Sequence, residues 1–149
     1  LGVIGPKSLA FAAEIGAGVH TYFVPPEHTE FARTTLGPGP LLAVEQAVLL
    51  ESDNRMARDL ARGHMRYYLD RGAYRNMLLR LGYAEGDLED GGSDRLVDAI
   101  VAWGGVEAAA VRIRQHLDAG ADHVCVQPVT ARADDVALNQ LRSLATAIL

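Results

Sequence analysis

Gly104-Gly-Val-Glu-Ala-Ala-Ala-Val-Arg-Ile-Arg-Gln-His-Leu-Asp-Ala-Gly-Ala-Asp-His-Val-Cys-Val-Gln-Pro-Val129 is the stretch whose reading decides the fold. Val106, Ala110, Ile113 and Leu117 recur at helical spacing, while Arg112, Arg114 and Gln115 fall outside that stripe. Gly120 then offers the left-handed backbone that ends a helix. His123 to Val129 follows as a short apolar run with β-branched residues and a proline near its end, which reads as a buried strand. A helix that feeds straight into a buried strand is half of a β-α-β unit. If the unit repeats, the chain builds a parallel α/β sheet or barrel with its chemistry at the carboxyl ends of the strands.

The rest of the chain does repeat it. Leu1 to Ile4 reads as a short strand, and Gly5-Pro6 turns it into a helix through about Ile15, with Pro6 suited to a first helical position. Val19 to Val24 reads as a second strand, Glu27 to Leu36 as a helix with an acidic first turn, and Leu41 to Leu50 as a third strand. Asp53 to Tyr68 and Tyr74 to Leu81 read as two inserted helices, and Glu85 to Gly92 as an acidic surface loop. Ser93 caps a helix over Asp94 to Trp103, and a last helix covers Asp135 to Leu149. No hairpin signal joins any two strands, so the pairing is expected to be parallel.

Composition bounds the function. The chain has 149 residues, 49% hydrophobic and 22% charged, which suits one ordinary globular domain. A net charge of −5 argues against a nucleic-acid surface. No apolar run approaches the ~20 residues of a membrane helix, and no signal peptide is visible. Cys125 is the sole cysteine and reads as a reduced, packed thiol, so a cytoplasmic location is expected. The five histidines include no pair spaced three or four apart, which argues against a metal site. No Gly-x-Ser-x-Gly elbow points to a hydrolase. A start at Leu1 in place of Met predicts a truncated or processed product.

Three motifs carry a resemblance: Ile4-Gly5-Pro6-Lys7, then Gly92-Ser93-Asp94-Arg95-Leu96-Val97-Asp98 leading to Ala102-Trp103-Gly104, then Ala119-Gly120-Ala121-Asp122-His123-Val124-Cys125-Val126-Gln127. Over essentially all of residues 1–149 the chain resembles the carboxyl-terminal half of the luciferase-like F420-dependent oxidoreductases, especially their actinobacterial members. The resemblance implies a (β/α)8 TIM barrel of which this chain supplies strands 5–8, with a helical insertion after its third strand. It also implies coenzyme F420 as hydride carrier for a small organic substrate. FMN-dependent luciferase-like monooxygenases are the alternative.

The resemblance places the phosphate end of the cofactor at Ile4, Gly5, Lys7 and Ser8. A glycine turn into a helix start is also a natural anion site on its own terms. Val3 stands where the family often has a smaller residue, and Ala17 replaces an aspartate common before Gly18. Thr21 and Tyr22, at the end of the second strand, and Gln127, at the end of the last, are the substrate-pocket candidates. His20 is expected to be a buried, hydrogen-bonded histidine, and His123, at the amino end of its strand, a structural one. Tyr74, Arg75 and Asn76 fall in the insertion, where active-site lids often lie, and Arg95 is an alternative anion contact.

The acid and base residues of the family lie in its other half, so no catalytic residue is assigned. A third reading is a non-catalytic half-barrel that needs a partner to close its sheet. Exposed sheet edges predict self-association of the chain alone, a homodimer among the outcomes.

Overall fold

The computed structural model describes residues 1–130 and 135–148. Its organising element is β2 (Leu42–Leu49), the longest strand, to which every other strand pairs in parallel. β4 (His123–Pro128) lies along one edge of β2, from Ala43↔His123 to Val48↔Pro128. β1 (Val19–Thr21) and β3 (Ala102–Trp103) share the opposite edge, β1 against Leu42–Val44 and β3 against Val48–Leu49. All-parallel pairing needs a crossover between strands, and helices supply it. These are α1 (Pro6–Glu14), α2 (Pro26–Leu36), α3 (Asn54–Leu69), α4 (Gly72–Arg80), α5 (Asp94–Ile100) and α6 (Val106–Asp118), with α7 (Asp135–Ile148) last.

The two faces of β2 differ. Alternate residues of a strand point to opposite sides. Leu42, Val44, Gln46 and Val48 face the helices and are fully buried. Gln46 donates its amide to the carbonyls of Ile100 and Ala47 (2.9 and 2.8 Å), so its Oε1 is left to accept from His116 Nε2 on α6 at 2.8 Å. His116 Nδ1 then accepts from the Thr29 hydroxyl on α2 at 2.8 Å. This chain of bonds ties β2 to α6 and α2 with every polar group satisfied, and it fixes His116 as the neutral imidazole. Burial, with Arg112 and His28 adding to it, pushes the His116 pKa down to about 4. The other face carries Ala43, Glu45 and Ala47, level with His20 on one side, whose ring lies against Tyr22, and with His123, Cys125 and Gln127 on the other.

Helix ends follow their signals. Asp53 caps α3 by accepting from Met56 N, and Ser93 caps α5 by accepting from Leu96 N. Gly120 sits at φ 100°, where a Cβ would lie 2.6 Å from Arg33 Cγ. Arg33 uses that space to donate to Gly120 O (2.8 Å), to Gly37 O and Pro40 O, and to Asp122. Asp122 in turn accepts from the Leu42 amide at 2.7 Å, which locks the start of β4 to the start of β2.

Several expectations change. The helix expected over Asp94 to Trp103 stops at Ile100, and Ala102–Trp103 pairs with β2 instead. The run Ile100-Val101-Ala102 is apolar throughout, so periodicity alone gave no sign of the switch. Leu1 to Ile4 contributes a single bridge, Gly2↔His20, rather than a strand. The second strand ends at Thr21 because Phe23 turns left-handed at φ 56°. The buried stripe of α6 is Ala109, Ala110, Ile113 and His116, while Leu117 is exposed. Gln46 and Thr29 provide the partners that let a histidine take the inward position. β4 was expected to be buried, yet each of its residues is half-buried or exposed, Cys125 included. Leu149, the expected end of the last helix, lies outside the described residues. Among the described residues, no helix is long and apolar enough to cross a membrane.

Candidate functional site

α1 begins at the edge of an open cleft of about 690 Å³. Gly5 is its N-cap in extended conformation, and Pro6 opens the helix without an N–H to leave unpaired. The Ser8 hydroxyl donates back to Gly5 O at 2.9 Å, beside the helix bond from Leu9 N to the same oxygen. First-turn amides of a helix have no intrahelical acceptor, so those of Lys7 and Ser8 are the natural donors to an anion. The turn is held from behind. His28, buried on α2, donates Nε2–H to Ile4 O at 2.8 Å, and burial lowers its pKa so that it remains a neutral donor.

The opposite wall comes from the insertion, where Tyr74, Asn76 and Arg80 of α4 line the cleft. Lys7 and Arg80 thus flank the positive end of α1, and the cleft carries a cationic character suited to a phosphate. Between the walls lie His20 and Tyr22, with ring centroids 4.7 Å apart.

The structure brings five of the seven cofactor and substrate-pocket candidates to one cleft, Ile4, Gly5, Lys7, Ser8 and Tyr22, together with Tyr74 and Asn76 of the insertion. Thr21 and Gln127 lie elsewhere. Thr21 is fully buried and pairs with Val44, which places it on the helix-facing side of the sheet. Gln127 is exposed on β4, level with Ala47 on the same face as Tyr22 but outside the lining of the cleft. His20, expected to be buried and bonded, is half-buried and its Nε2 has no partner. Burial, then His123 and the amino terminus, lower its pKa.

His123 itself is exposed. Arg75 is committed to Glu85 and Glu89, and Arg95 lies over the Tyr83 ring and pairs with Asp87, so both serve the acidic loop rather than the cleft. Among the described residues, no three histidine, cysteine or acidic side chains group as metal ligands.

Sequence reasoning missed Glu45. It is 4% exposed, its Oε2 accepts the Phe23 amide at 3.2 Å, and its Oε1 has no partner. The only sequence signal was an acidic residue, next to Gln46, in the middle of a strand that is apolar elsewhere.

No protein-family model and no curated protein sequence matches the chain. Solved structures do match its fold. An F420-dependent secondary alcohol dehydrogenase in complex with an F420–acetone adduct superposes with a TM-score of 0.68 at 13% identity, covering 99% of this chain and 48% of that one. The coenzyme F420-dependent tetrahydromethanopterin reductase of Methanopyrus kandleri gives 0.62 at 17% identity over 99% and 50%. The oxygenating constituent of 3,6-diketocamphane monooxygenase from Pseudomonas putida, a type II Baeyer–Villiger enzyme in complex with FMN, gives 0.62 at 20% identity over 99% and 47%. The chain therefore spans about half the length of the solved structures it matches, and at these identities the likeness establishes the fold.

Proposed function

We propose that the chain is the carboxyl-terminal half of a (β/α)8 barrel, supplying strands 5–8 of a luciferase-like oxidoreductase that uses coenzyme F420 to exchange hydride with a small organic substrate. The observation that carries this reading is the cleft. A helix N-terminus, Lys7 and Arg80 converge there in a fold shared over its whole length with F420- and FMN-associated enzymes. The burial of β4 supports the half-barrel: its sequence is that of an inner strand, yet one edge and one face lack cover among the described residues.

The residues suit the cofactor. Its phosphate would take the Lys7 and Ser8 amides, with Ile4 and Gly5 shaping the turn and His28 holding it. The phosphate of F420 is a diester that continues into an acidic glutamyl tail, and an open cleft flanked by two exposed cations leaves room for that tail. The cofactor supplies the redox chemistry, and the protein supplies position and electrostatics. Tyr22 lines the same cleft as this turn, and in a complete barrel Gln127, on the same face of the sheet, would reach the same cavity.

The FMN alternative rests on the monooxygenase with the same fold. Fluorescence titration of the complete barrel with F420 and, separately, with FMN decides between them. F420 binding that weakens about fivefold in Lys7→Ala and again in Arg80→Ala is expected for exposed phosphate contacts. Binding of FMN alone selects the monooxygenase reading, and binding of neither refutes both.

A further inference from the structure

His28 fills an inner position of α2 where a leucine would pack without penalty. It is 1% exposed, and its Nδ1 is enclosed with no hydrogen-bond partner. A buried polar atom left unpaired destabilises a fold, so its presence calls for an explanation. The other ring nitrogen supplies one. Ile4 O can only accept, so Nε2 carries the proton and donates it across 2.8 Å. Among the described residues no other donor bonds that carbonyl, because the Leu9 amide and the Ser8 hydroxyl both turn to Gly5 O instead. The orientation of the Ile4–Gly5 peptide is therefore set by His28.

Holding that carbonyl also aims the amide behind it. The Ile4–Gly5 bond is trans, like every peptide bond among the described residues. In a planar trans unit the C=O and the N–H point in opposite directions. With Ile4 O drawn toward α2, the Gly5 N–H is turned away from α2. Gly5 lines the cleft, whereas no residue of α2 does. The Gly5 amide makes no hydrogen bond among the described residues. It stands with the first-turn amides of Lys7 and Ser8, on the other side of Pro6, as a third unpaired donor. The cations of this cleft are uncommitted as well: among the described residues, neither Lys7 nor Arg80 makes an ion pair.

His28 is itself anchored. The next residue of α2, Thr29, bonds His116 Nδ1 at 2.8 Å, and His116 Nε2 bonds Gln46 of β2 at 2.8 Å. Pro25 and Pro26 fix the backbone at the start of the same helix. The Phe31 ring lies edge-on to the imidazole at 6.0 Å. The turn is thus fastened to the sheet through one turn of α2, and the Gly5 donor is in place before a ligand arrives. A donor that needs no reordering gives more net affinity than one that does. We propose that His28 is the positioning residue of the anion site: by holding the Ile4 carbonyl it presents the Gly5 amide, so that three backbone N–H groups rather than two meet the phosphate. The inference rests on the cofactor reading above and adds to it the residue that sets the donor geometry.

Inorganic phosphate titrated into the 149-residue chain and followed by amide NMR tests this. In the wild type the Gly5, Lys7 and Ser8 amides should shift together along one binding curve. His28→Leu should weaken phosphate about tenfold and silence Gly5, while Lys7 and Ser8 still respond. His28→Gln, whose side-chain amide can still donate to Ile4 O, should keep the Gly5 response and bind within about twofold of wild type. A purely structural histidine would not sort the amides in this way: its loss would lower urea stability and leave the Gly5 response tied to those of Lys7 and Ser8. A Gly5 amide that stays still in the wild type while Lys7 and Ser8 move overturns the proposal, whatever the variants do to folding. So does a His28→Leu chain that binds phosphate as wild type does with the Gly5 response intact. Silence from all three amides refutes the anion site, and the proposed function with it. Phosphate binding with the Gly5 response, but no binding of F420 or FMN by the complete barrel, refutes the cofactor reading alone and leaves the role of His28 standing.

Discussion

Replacing Glu45 by Gln should change the pH dependence of stability rather than stability at every pH. The carboxyl titrates at about 7 in the folded chain against 4.5 for the ordinary group. A folded pKa above the unfolded one means that the unfolded chain gives up its proton first as pH rises. The contribution of Glu45 is therefore fully present below pH 4.5, lost between 4.5 and 7, and flat above. A shift of about 2.5 units at 1.36 kcal/mol each makes the loss about 3 kcal/mol. At 4% exposure, solvent screening removes little of it.

His116 runs the other way. Its pKa falls from 6.5 to about 4, so its contribution is present above 6.5 and lost as pH falls toward 4, again about 3 kcal/mol. The two slopes oppose each other over nearly the same window, while His20, His28 and His64, whose pKa values are also lowered, add their own loss toward acid pH to wild type and variant alike, so the difference between the two proteins isolates Glu45. Gln at position 45 still accepts the Phe23 amide but carries no charge, which removes one slope and exposes the other. Urea unfolding of both proteins from pH 4 to 8 measures this. Glu45→Gln should match or fall slightly below wild type at pH 4, because its amide lacks a partner, and exceed it by about 2 kcal/mol at pH 8. Parallel profiles for the two proteins would refute the assignment of Glu45 as a buried neutral acid.

His116 can be followed directly: its imidazole NMR signals should titrate with a midpoint about 4, and a midpoint near 6.5 would mean that the Gln46–His116–Thr29 chain does not form. Gly120→Ala puts a methyl 2.6 Å from Arg33 Cγ at φ 100°, and should cost about 2–4 kcal/mol in urea unfolding while displacing Arg33 from Asp122. A loss under 1 kcal/mol would show that Arg33 can move aside freely.

What could be read from sequence was the rhythm; what could not was the company each residue keeps. Gly120, Ser93 and the Gly5-Pro6 turn act locally, through backbone conformation or a cap within a few residues, and they fall where expected. Glu45 and His116 depend on partners far along the chain, Phe23 for one and Thr29 and Gln46 for the other, and no local pattern encodes those meetings. Thr21 and Tyr22 show the limit most sharply. They are adjacent, both at a strand end, yet strand alternation buries one against the helices and sets the other on the cleft. Only the register with Val44 tells which is which.

β4 presses the same point from the other side. Val-Cys-Val in a short run predicts burial on both faces, the habit of a parallel strand between neighbours. Here β2 covers one edge and α6 and α7 pack on one face, while the face bearing His123, Cys125 and Gln127 is left half-open. Cysteine and valine of this strand lie at exposures that a finished parallel sheet would not leave them. The polar residues on that face, with Tyr22 and the enclosed Glu45 beside them, are also not the branched apolar filling of an ordinary barrel interior. Both departures would have one physical explanation in the half barrel proposed above, where another set of strands would cover this face around a polar cavity rather than a packed core.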